Sequence, residues 1–526
     1  MRPTSGKQII ADFFDNFEVD YVFGNPGTTE ATFLDLVSTS RRCQFILGLH
    51  ESTAVGIAAG YALKSGKPAV VNIHTYPGLA NAMCNMFNSY ASGIPMVVIA
   101  GQQNRHHLVH RPILSGELTE LASTASVSQY QVERVGDMST ILQRSYMEAS
   151  EAKAPSFVSI PMEVYQDETD NAEFKKTKVL MPECATEIER VAECIRAAKG
   201  SVAIVADSEA LWAEGLKRPL RLLSEGADAD LYLAPFPVVT MVDVTSPKYK
   251  GLLPLMSDGA NAALSRYDVI VLLGEKIQSF LYVDKPTIPR GKTLVQFSSG
   301  NTIVRYDRPA EFVVRGDITA NVRALLRALG LENTSPLPDR KEQQVTPSIL
   351  ASMLKAIPRE TPVVIEGSSH GSREEAMVMS LNFREVYSEP RGGGLGLAMP
   401  LAVGVALHSK KPSVCVAGDG GSLYSIHAIW TAARYRIPVV FLCVVNNEYQ
   451  ILKQLWKKQV PESTEAQYRL IMDFNDPPIN IGEIAKGFGA IVHHATKDNC
   501  SDLVQQALQH PGPTFITLPD DRRYTE

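Results

Sequence analysis

The sequence predicts an α/β protein of three doubly wound parallel-sheet domains. Three observations carry that prediction. Apolar runs of strand length alternate with stretches of helical spacing along most of the 526 residues. Charged or Pro-containing stretches near 173–178 and 333–347 read as linkers and divide the chain into residues 1–180, 181–335 and 340–526. Polar side chains stand directly after the strand-like runs, where an open parallel sheet gathers them along one edge and binds ligands.

Composition narrows the function classes. The formal net charge is −6 and there is no basic tract, which argues against nucleic-acid binding. No apolar run reaches the roughly 18 residues that a membrane span needs. Seven cysteines without a CxxC pair argue against a disulfide framework or a structural zinc site, and fit a reducing cytoplasm. The N-terminus shows no basic segment followed by an apolar core, so no secretory signal is expected.

In the first domain, Ser5 to Phe17 has helical spacing with Ser5 as N-cap. Val19 to Phe23 reads as a strand that breaks into Gly24-Asn25-Pro26-Gly27, and helical spacing resumes at Glu30. Phe45 to Leu49 is a strand leading to His50-Glu51, and Ser52 to Lys64 a helix of small residues able to pack closely. Pro68 to Ile73 is a strand ending at His74, followed by a helix from about Gly78 to Tyr90. Pro95 to Ala100 is a strand ending at Gly101-Gln102-Gln103. Asn25, Thr28, Glu51, His74 and Gln102 therefore all follow strand ends and are expected along one edge. His106, His107 and His110 fall in the next loop, where at least two are expected to be solvated.

In the second domain, Glu187 to Lys199 and Ile318 to Leu329 read as helices. Val202 to Ala206, Asp268 to Gly274 and Thr293 to Phe297 read as strands. GxGxxG is absent, so no nicotinamide or flavin cofactor is assigned.

The third domain holds the most specific stretch. Val414 to Ala417 is a buried-strand run, Gly418-Asp419-Gly420-Gly421 a turn, Ser422 to Tyr435 a helix, and Val439 to Val445 a strand ending at Asn446-Asn447. Asp419, the Asn446 amide and the Glu448 backbone carbonyl offer hard oxygen ligands for Mg²⁺ or Ca²⁺ holding a phosphate group. The glycines permit close approach of backbone to that phosphate. Upstream, Thr361 to Ile365 is a strand ending at Glu366, and Arg391-Gly392-Gly393-Gly394-Leu395-Gly396 exposes backbone to a flat ligand. Tyr449 to Trp456 reads as a short helix, and Lys453 to Glu465 as a mobile surface segment.

GDGG followed by 24 residues and Asn-Asn resembles the metal-binding motif of thiamine diphosphate (ThDP) enzymes. The ligand Asn of that motif falls on Asn446, while its usual preceding Asn falls on Val445, a departure. FGNPGTTE, LHESTAVGIAAGYA and NIHTYPGLANAM resemble further segments of the family, and the likeness to its benzoylformate decarboxylase branch covers the whole chain. The resemblance implies pyrimidine-binding, central and diphosphate-binding domains, in that order. It implies ThDP with Mg²⁺ or Ca²⁺ as cofactors, and Asp419, Asn446 and Glu448 as metal ligands. Glu51 would activate the cofactor, and His74 and Thr28 would handle the substrate carboxylate and protons. Ser368, Ser369, Gly420, Gly421, Ser422 and Tyr449 would contact the cofactor. Gly393 would accept from its 4′-amino group, and Leu395 would hold it bent. Thr28, Tyr76, Ile451, Leu452 and Leu455 would shape the substrate pocket.

The implied activity is decarboxylation of a 2-oxo acid. Carboligation or lysis of 2-hydroxyketones, and cofactor binding without turnover, are the competing readings. The first departure noted for activity is Ser246, which falls where the family carries a second active-site histidine. Glu389 and Arg391 put unexpected charge near the site. The family's active sites lie between subunits, which implies a homodimer or homotetramer.

Overall fold

The computed structural model describes residues 3–175, 177, 184–207, 215–236, 239–240, 242–274, 277–280, 283–299, 310–339, 348–366, 385–388 and 391–521. Its described residues fall into two compact units. One comprises Met1–Thr177, Pro347–Met379 and Gly392–Glu526, the other Lys178–Thr346 and Ser380–Arg391.

The first unit opens with α1 (Gly6–Asn16), capped by Ser5, whose Oγ accepts the Gln8 N–H at 3.2 Å. Its apolar stripe, Ile9, Ile10, Phe13 and Phe14, is buried. Then follow β1 (Tyr21–Gly24), α2 (Ala31–Thr39), β2 (Gln44–Leu47), α3 (Glu51–Ser65), β3 (Ala69–Ile73), α4 (Thr75–Ser92) and β4 (Met96–Gln102). The rest of this layer is β5 (Gln129–Gln131), α5 (Val135–Ala152) and β6 (Pro155–Pro161). The strands pair in parallel in the order β2-β1-β3-β4-β6-β5. Gly24 pairs with both Leu47 and Asn72, and Ile73 with Ala100, so the carboxyl ends of four strands lie level. That register sets the expected polar edge. The proline-bounded strand β6 was not predicted, because proline is a turn signal in sequence but is tolerated at a strand's first residue.

The same unit contains α10 (Ile349–Ala356), β13 (Val363–Glu366), α11 (Ala398–Ser409), β14 (Ser413–Gly418), α12 (Asp419–Ser422), α13 (Ala428–Tyr435) and β15 (Val439–Val445). It continues through α14 (Gln450–Gln459), α15 (Glu465–Met472), α16 (Ile481–Gly487), β16 (Ile491–His494), α17 (Cys500–Ala507) and β17 (Thr514–Pro519). Within the unit these strands run parallel in the order β13-β14-β15-β17-β16.

Two helices weld the two sheets of this unit together. An ideal Cβ on Gly60 of α3 would lie 2.0 Å from the Leu401 carbonyl oxygen, and one on Gly404 of α11 would lie 2.0 Å from that of Ile57. Backbone meets backbone there, which only glycine permits. Both helices are apolar on nearly every face because each is covered on nearly every face.

The central unit holds α6 (Ile188–Ala197), β7 (Val202–Ala206), α7 (Lys217–Gly226), β8 (Asp230–Leu233), β9 (Tyr249–Leu252), α8 (Ser257–Leu264), β10 (Val269–Leu273), β11 (Thr293–Ser298), β12 (Phe312–Arg315) and α9 (Ile318–Leu329). Its six strands are parallel in the order β9-β8-β7-β10-β11-β12. Outside this sheet, Val239–Thr240 pairs antiparallel with Val386–Tyr387. The sequence reading found only β7, β10 and β11 here. β8 is four residues long and β9 contains Gly251 at φ +105°, so neither has a strand's signature.

Two residues singled out from the sequence lie in this unit. Ser246 is fully buried, and its Oγ donates to Glu225 Oε1 at 2.7 Å. It belongs to an internal network in which Arg221 also pairs with Glu225, Asp243 and Asp339, so its position lies within the unit's own packing. Arg391 is likewise buried and ion-paired with Asp207 at the end of β7, so its charge is neutralised within this unit. The stretch read as the second linker is also anchored where it is described: Arg221 donates to the Leu337 carbonyl at 2.6 Å and the Leu337 N–H to Glu225 at 2.7 Å.

Candidate active site

At the level edge of the first sheet, α2 begins just after Glu30 and α4 just after His74. Glu30 is fully buried, and its Oε2 lies 2.9 Å from His74 Nδ1. Thr29 Oγ1 donates to Glu30 Oε1 at 2.7 Å and lies 3.1 Å from the same histidine nitrogen. The Glu30 carboxylate pushes the His74 pKa up, against a smaller opposing effect of burial. Nδ1 is thus committed to the cluster, which leaves Nε2 outside it. Thr75, next in the chain, is buried at φ +47°, a conformation costly for a β-branched residue and characteristic of functional sites.

The sequence reading found His74 but missed Glu30 and Thr29. Thr28, expected at the substrate carboxylate, is exposed and lies outside this hydrogen-bonded cluster, while Thr29 turns inward. Thr28 and Thr29 are the same residue type, and no spacing rule says which of two neighbours in a turn faces in. The pairing of Glu30 with His74 joins residues 44 apart and leaves no local signal.

Glu51 opens α3, with His50 as N-cap accepting the Ser52 N–H at 3.2 Å. A carboxylate in that first turn is favoured by the helix dipole. Glu51 Oε2 accepts from Asn81 of α4 at 3.0 Å, and Gly78 packs against the carboxylate. Close by, Thr53 Oγ1 lies 2.5 Å from Nε2 of His427, whose pKa burial lowers to about 4. Tyr76 is partly exposed, with Gly116 packed against its ring. His106, His107 and His110 are exposed.

In the third sheet, Asp419 follows β14 and is only 4% exposed. Its Oδ1 accepts from Gly420 N–H at 2.8 Å, and its Oδ2 from Asn446 and Asn447 N–H at 3.0 and 2.7 Å. Burial still pushes its pKa up, so those donors do not compensate the buried charge. The Asn446 Oδ1 accepts the Glu448 N–H at 3.2 Å, which holds the 446–448 turn over Asp419, and Asn447 adopts φ +55°. A buried, undercompensated carboxylate beside an amide oxygen and a turn carbonyl fits a divalent cation. Among the described residues no group of three His, Cys, Asp or Glu side chains forms a metal cluster. A cation here would therefore draw on amide, carbonyl and phosphate oxygens, as Mg²⁺ does.

Of the helix predicted over Ser422 to Tyr435, only Ala428–Tyr435 forms a continuous helix, α13. The glycine turn itself forms α12, and tight turns through Tyr424 and Ser425 lead to α13. Gly420 and Gly421 are buried in α12 with Ser422, and a Cβ on Gly420 would meet the Tyr449 ring at 2.9 Å. Ile451 and Leu452 are partly exposed on α14, and Leu455 is half-buried. The segment Lys453 to Glu465, expected as a mobile surface segment, is helical in α14 up to Gln459, and α15 starts at Glu465. Lys453 is buried between Glu448 and Asp473, because two carboxylates offset the cost of burying its charge.

Gly393 has φ +74°, and a Cβ there would meet nothing within 4 Å. Leu395 is 37% exposed. The next three backbone N–H groups, of Gly396, Leu397 and Ala398, donate to the buried Glu366 carboxylate at 3.0–3.2 Å. Ser368, Ser369 and Glu389 lie outside the described residues. A groove of about 420 Å³ lined by Pro26, Leu34, Phe45, Leu47 and Arg434 includes none of the candidate site residues.

Parallel sheets with a carboxylate at the head of a buried helix, and a second edge fit for a cation and a phosphate, define a cofactor-dependent α/β enzyme. The chain belongs to the thiamine pyrophosphate enzymes: residues 4–125 match their N-terminal TPP binding domain and residues 376–518 their C-terminal TPP binding domain. It is 28% identical to a benzoylformate decarboxylase of Pseudomonas aeruginosa over 95% of both chains. It is 23% identical to an acetolactate synthase large subunit of Haemophilus influenzae, over 97% of this chain and 93% of that one. Among solved structures it resembles the benzoylformate decarboxylase of Polynucleobacter necessarius, with TM-score 0.84, 26% identity and 98% of each chain covered. A 4-hydroxybenzoylformate decarboxylase of Rhodococcus jostii shares the fold, with TM-score 0.87 at 24% identity over 98% of this chain and 99% of that one. Among the described residues no helix is long and apolar enough to cross a membrane.

Proposed function

We propose that this chain is a ThDP- and Mg²⁺-dependent, non-oxidative decarboxylase of a 2-oxo acid of the benzoylformate type. The observation that carries the reading is the buried Glu30–His74 pair at the edge where the Glu51 helix begins. A 2-oxo acid brings a carboxylate and a ketone to the site. His74, its protonated form favoured by Glu30, can donate a hydrogen bond to one or the other. Full-length likeness to a benzoylformate decarboxylase supports an aromatic or medium-sized substrate.

Asp419, Asn446 and the Glu448 carbonyl would hold the metal, with Gly420, Gly421, Ser422 and Tyr449 beside the diphosphate. Glu51 would hold the aminopyrimidine and Gly393 its amino group. ThDP supplies a carbon nucleophile and an electron sink for the loss of CO₂. The chain's own residues do the rest. Glu51 holds a proton at the pyrimidine nitrogen. His74 Nε2 orients the carboxylate and later returns a proton to the product carbon. The apolar Leu395, Ile451, Leu452 and Leu455 keep water from that carbon.

We place the site between two copies of the chain, in a homodimer or homotetramer, with Glu51 and Asp419 of one chain serving different sites. Assay of purified protein with Mg²⁺, ThDP and a panel of 2-oxo acids tests the proposal. CO₂ and an aldehyde in equal amounts are expected, and a panel without CO₂ release overturns it. The acetolactate synthase relative favours carboligation as the second reading. It is distinguished by a hydroxyketone made from two carbonyl compounds.

A further inference from the structure

The glycine loop before α11 is gripped by one side chain of α4. Asn88 is fully buried in that helix. Its Oδ1 accepts the Gly394 N–H at 3.0 Å, and its Nδ2 donates to the Gly394 carbonyl at 2.8 Å. The side-chain amide thus pairs with one residue's backbone as an adjacent antiparallel strand would. The backbone N–H can only donate, which settles which end of the amide is oxygen. The remaining Asn88 proton goes to Asn85 Oδ1 at 2.9 Å. Asn85 is 1% exposed and donates to the Ser52 carbonyl at 2.8 Å and toward that of Gly396 at 3.4 Å. Ser52 directly follows Glu51. A buried ladder of two amides therefore runs from the first turn of α3 to the glycine loop.

The glycines on either side of Gly393 face this ladder. A Cβ on Gly392 would lie 2.5 Å from Asn88 Oδ1, and one on Gly394 would lie 2.5 Å from Cys84 Sγ and 3.1 Å from Asn88 Nδ2. Gly393, between them, meets nothing within 4 Å and makes no hydrogen bond to a described residue. Its flanks are clamped and its own peptide is presented outward.

We propose that Asn88, braced by Asn85, is a positioning residue for the cofactor's aminopyrimidine, because it sets the height and orientation of the Gly393 peptide. The inference rests on the ThDP reading above. Asn88 touches neither diphosphate nor metal ligands, so it acts on one end of the cofactor alone. Losing the clamp frees a loop with three adjacent glycines, Gly392 to Gly394, and the ordering cost then falls on binding.

Calorimetry with two probes separates positioning from general support: ThDP, and inorganic pyrophosphate, each with Mg²⁺. For Asn88→Ser, and for Asn85→Ala as the milder variant, ThDP affinity should fall roughly tenfold or more, about the cost of one or two lost buried hydrogen bonds. Pyrophosphate affinity should stay within roughly twofold, since its contacts are untouched. Unchanged ThDP affinity overturns the inference. So does an equal fall for both probes, or loss of the native circular dichroism in both variants, either of which makes the ladder a general structural support. Wild-type protein that binds pyrophosphate but not ThDP overturns the cofactor reading itself.

Discussion

His74 shows how one contact sets a protonation state. Glu30 raises its pKa above the ordinary 6.5, so the folded protein binds a proton more tightly than the unfolded chain does. That stabilisation is complete below pH 6.5 and is lost as pH rises through the folded value. Glu30→Gln should therefore cost about 1–2 kcal/mol in urea unfolding at mildly acidic pH, the ring being partly open to solvent screening, and less at pH ~9. A cost independent of pH would contradict the pairing. In turnover, the same variant should move the alkaline limb of the pH–rate profile toward lower pH. Glu51→Gln keeps the shape of the side chain but cannot hold a negative charge. Turnover should drop roughly 10²–10⁴-fold while the fold and ThDP binding persist. Near-normal turnover would overturn the role given to Glu51. Asp419→Ala should abolish Mg²⁺-dependent uptake of ThDP, read by calorimetry, because it removes the buried carboxylate at that turn.

Among the elements, the contact of α3 with α11 leaves least tolerance. Gly60→Val would drive a side chain into the Leu401 carbonyl, which the facing helix cannot move without unpacking. A loss of about 3 kcal/mol or more is expected in urea unfolding, against about 1 kcal/mol for Gly66→Ala at the exposed end of the same helix, where a Cβ meets open space and only the φ of +71° is strained. Equal effects at the two glycines would mean that α3 and α11 are not in backbone contact. Much at this scale was legible beforehand. The helix of small residues after Glu51 was expected to pack closely, and α9 begins and ends where its amphipathic spacing does. What escaped detection has a common cause. Strands β6, β8 and β9 are short or interrupted by Pro or Gly, and they exist because a neighbouring strand offers a ladder, not because their own residues demand one. The late start of α13, at Ala428, follows likewise from the tight turns through Tyr424 and Ser425.

At the scale of the molecule, helix pairing makes one compact unit of the first and third sheets although some 200 residues separate them in the chain. If active sites form between copies, the purified protein should run as a dimer or tetramer in light scattering, and inactive Glu51→Gln mixed with inactive Asp419→Ala should regain part of the activity on subunit exchange. Active monomer, or no complementation despite exchange, would place each site within a single chain.

The order of residues alone determined the parallel-sheet class, the run of polar groups at strand ends, and the spacing from Asp419 to Asn446, since all of these depend on local periodicity and separation along the chain. Folding decided which neighbours meet. It turned Thr29 inward instead of Thr28, joined Glu30 to His74, enclosed Ser246 and Arg391 within the central unit, and brought Asn88 against Gly394. Those partners are far apart in sequence or differ only in the face they present, and such pairings arise from packing, which no local pattern encodes.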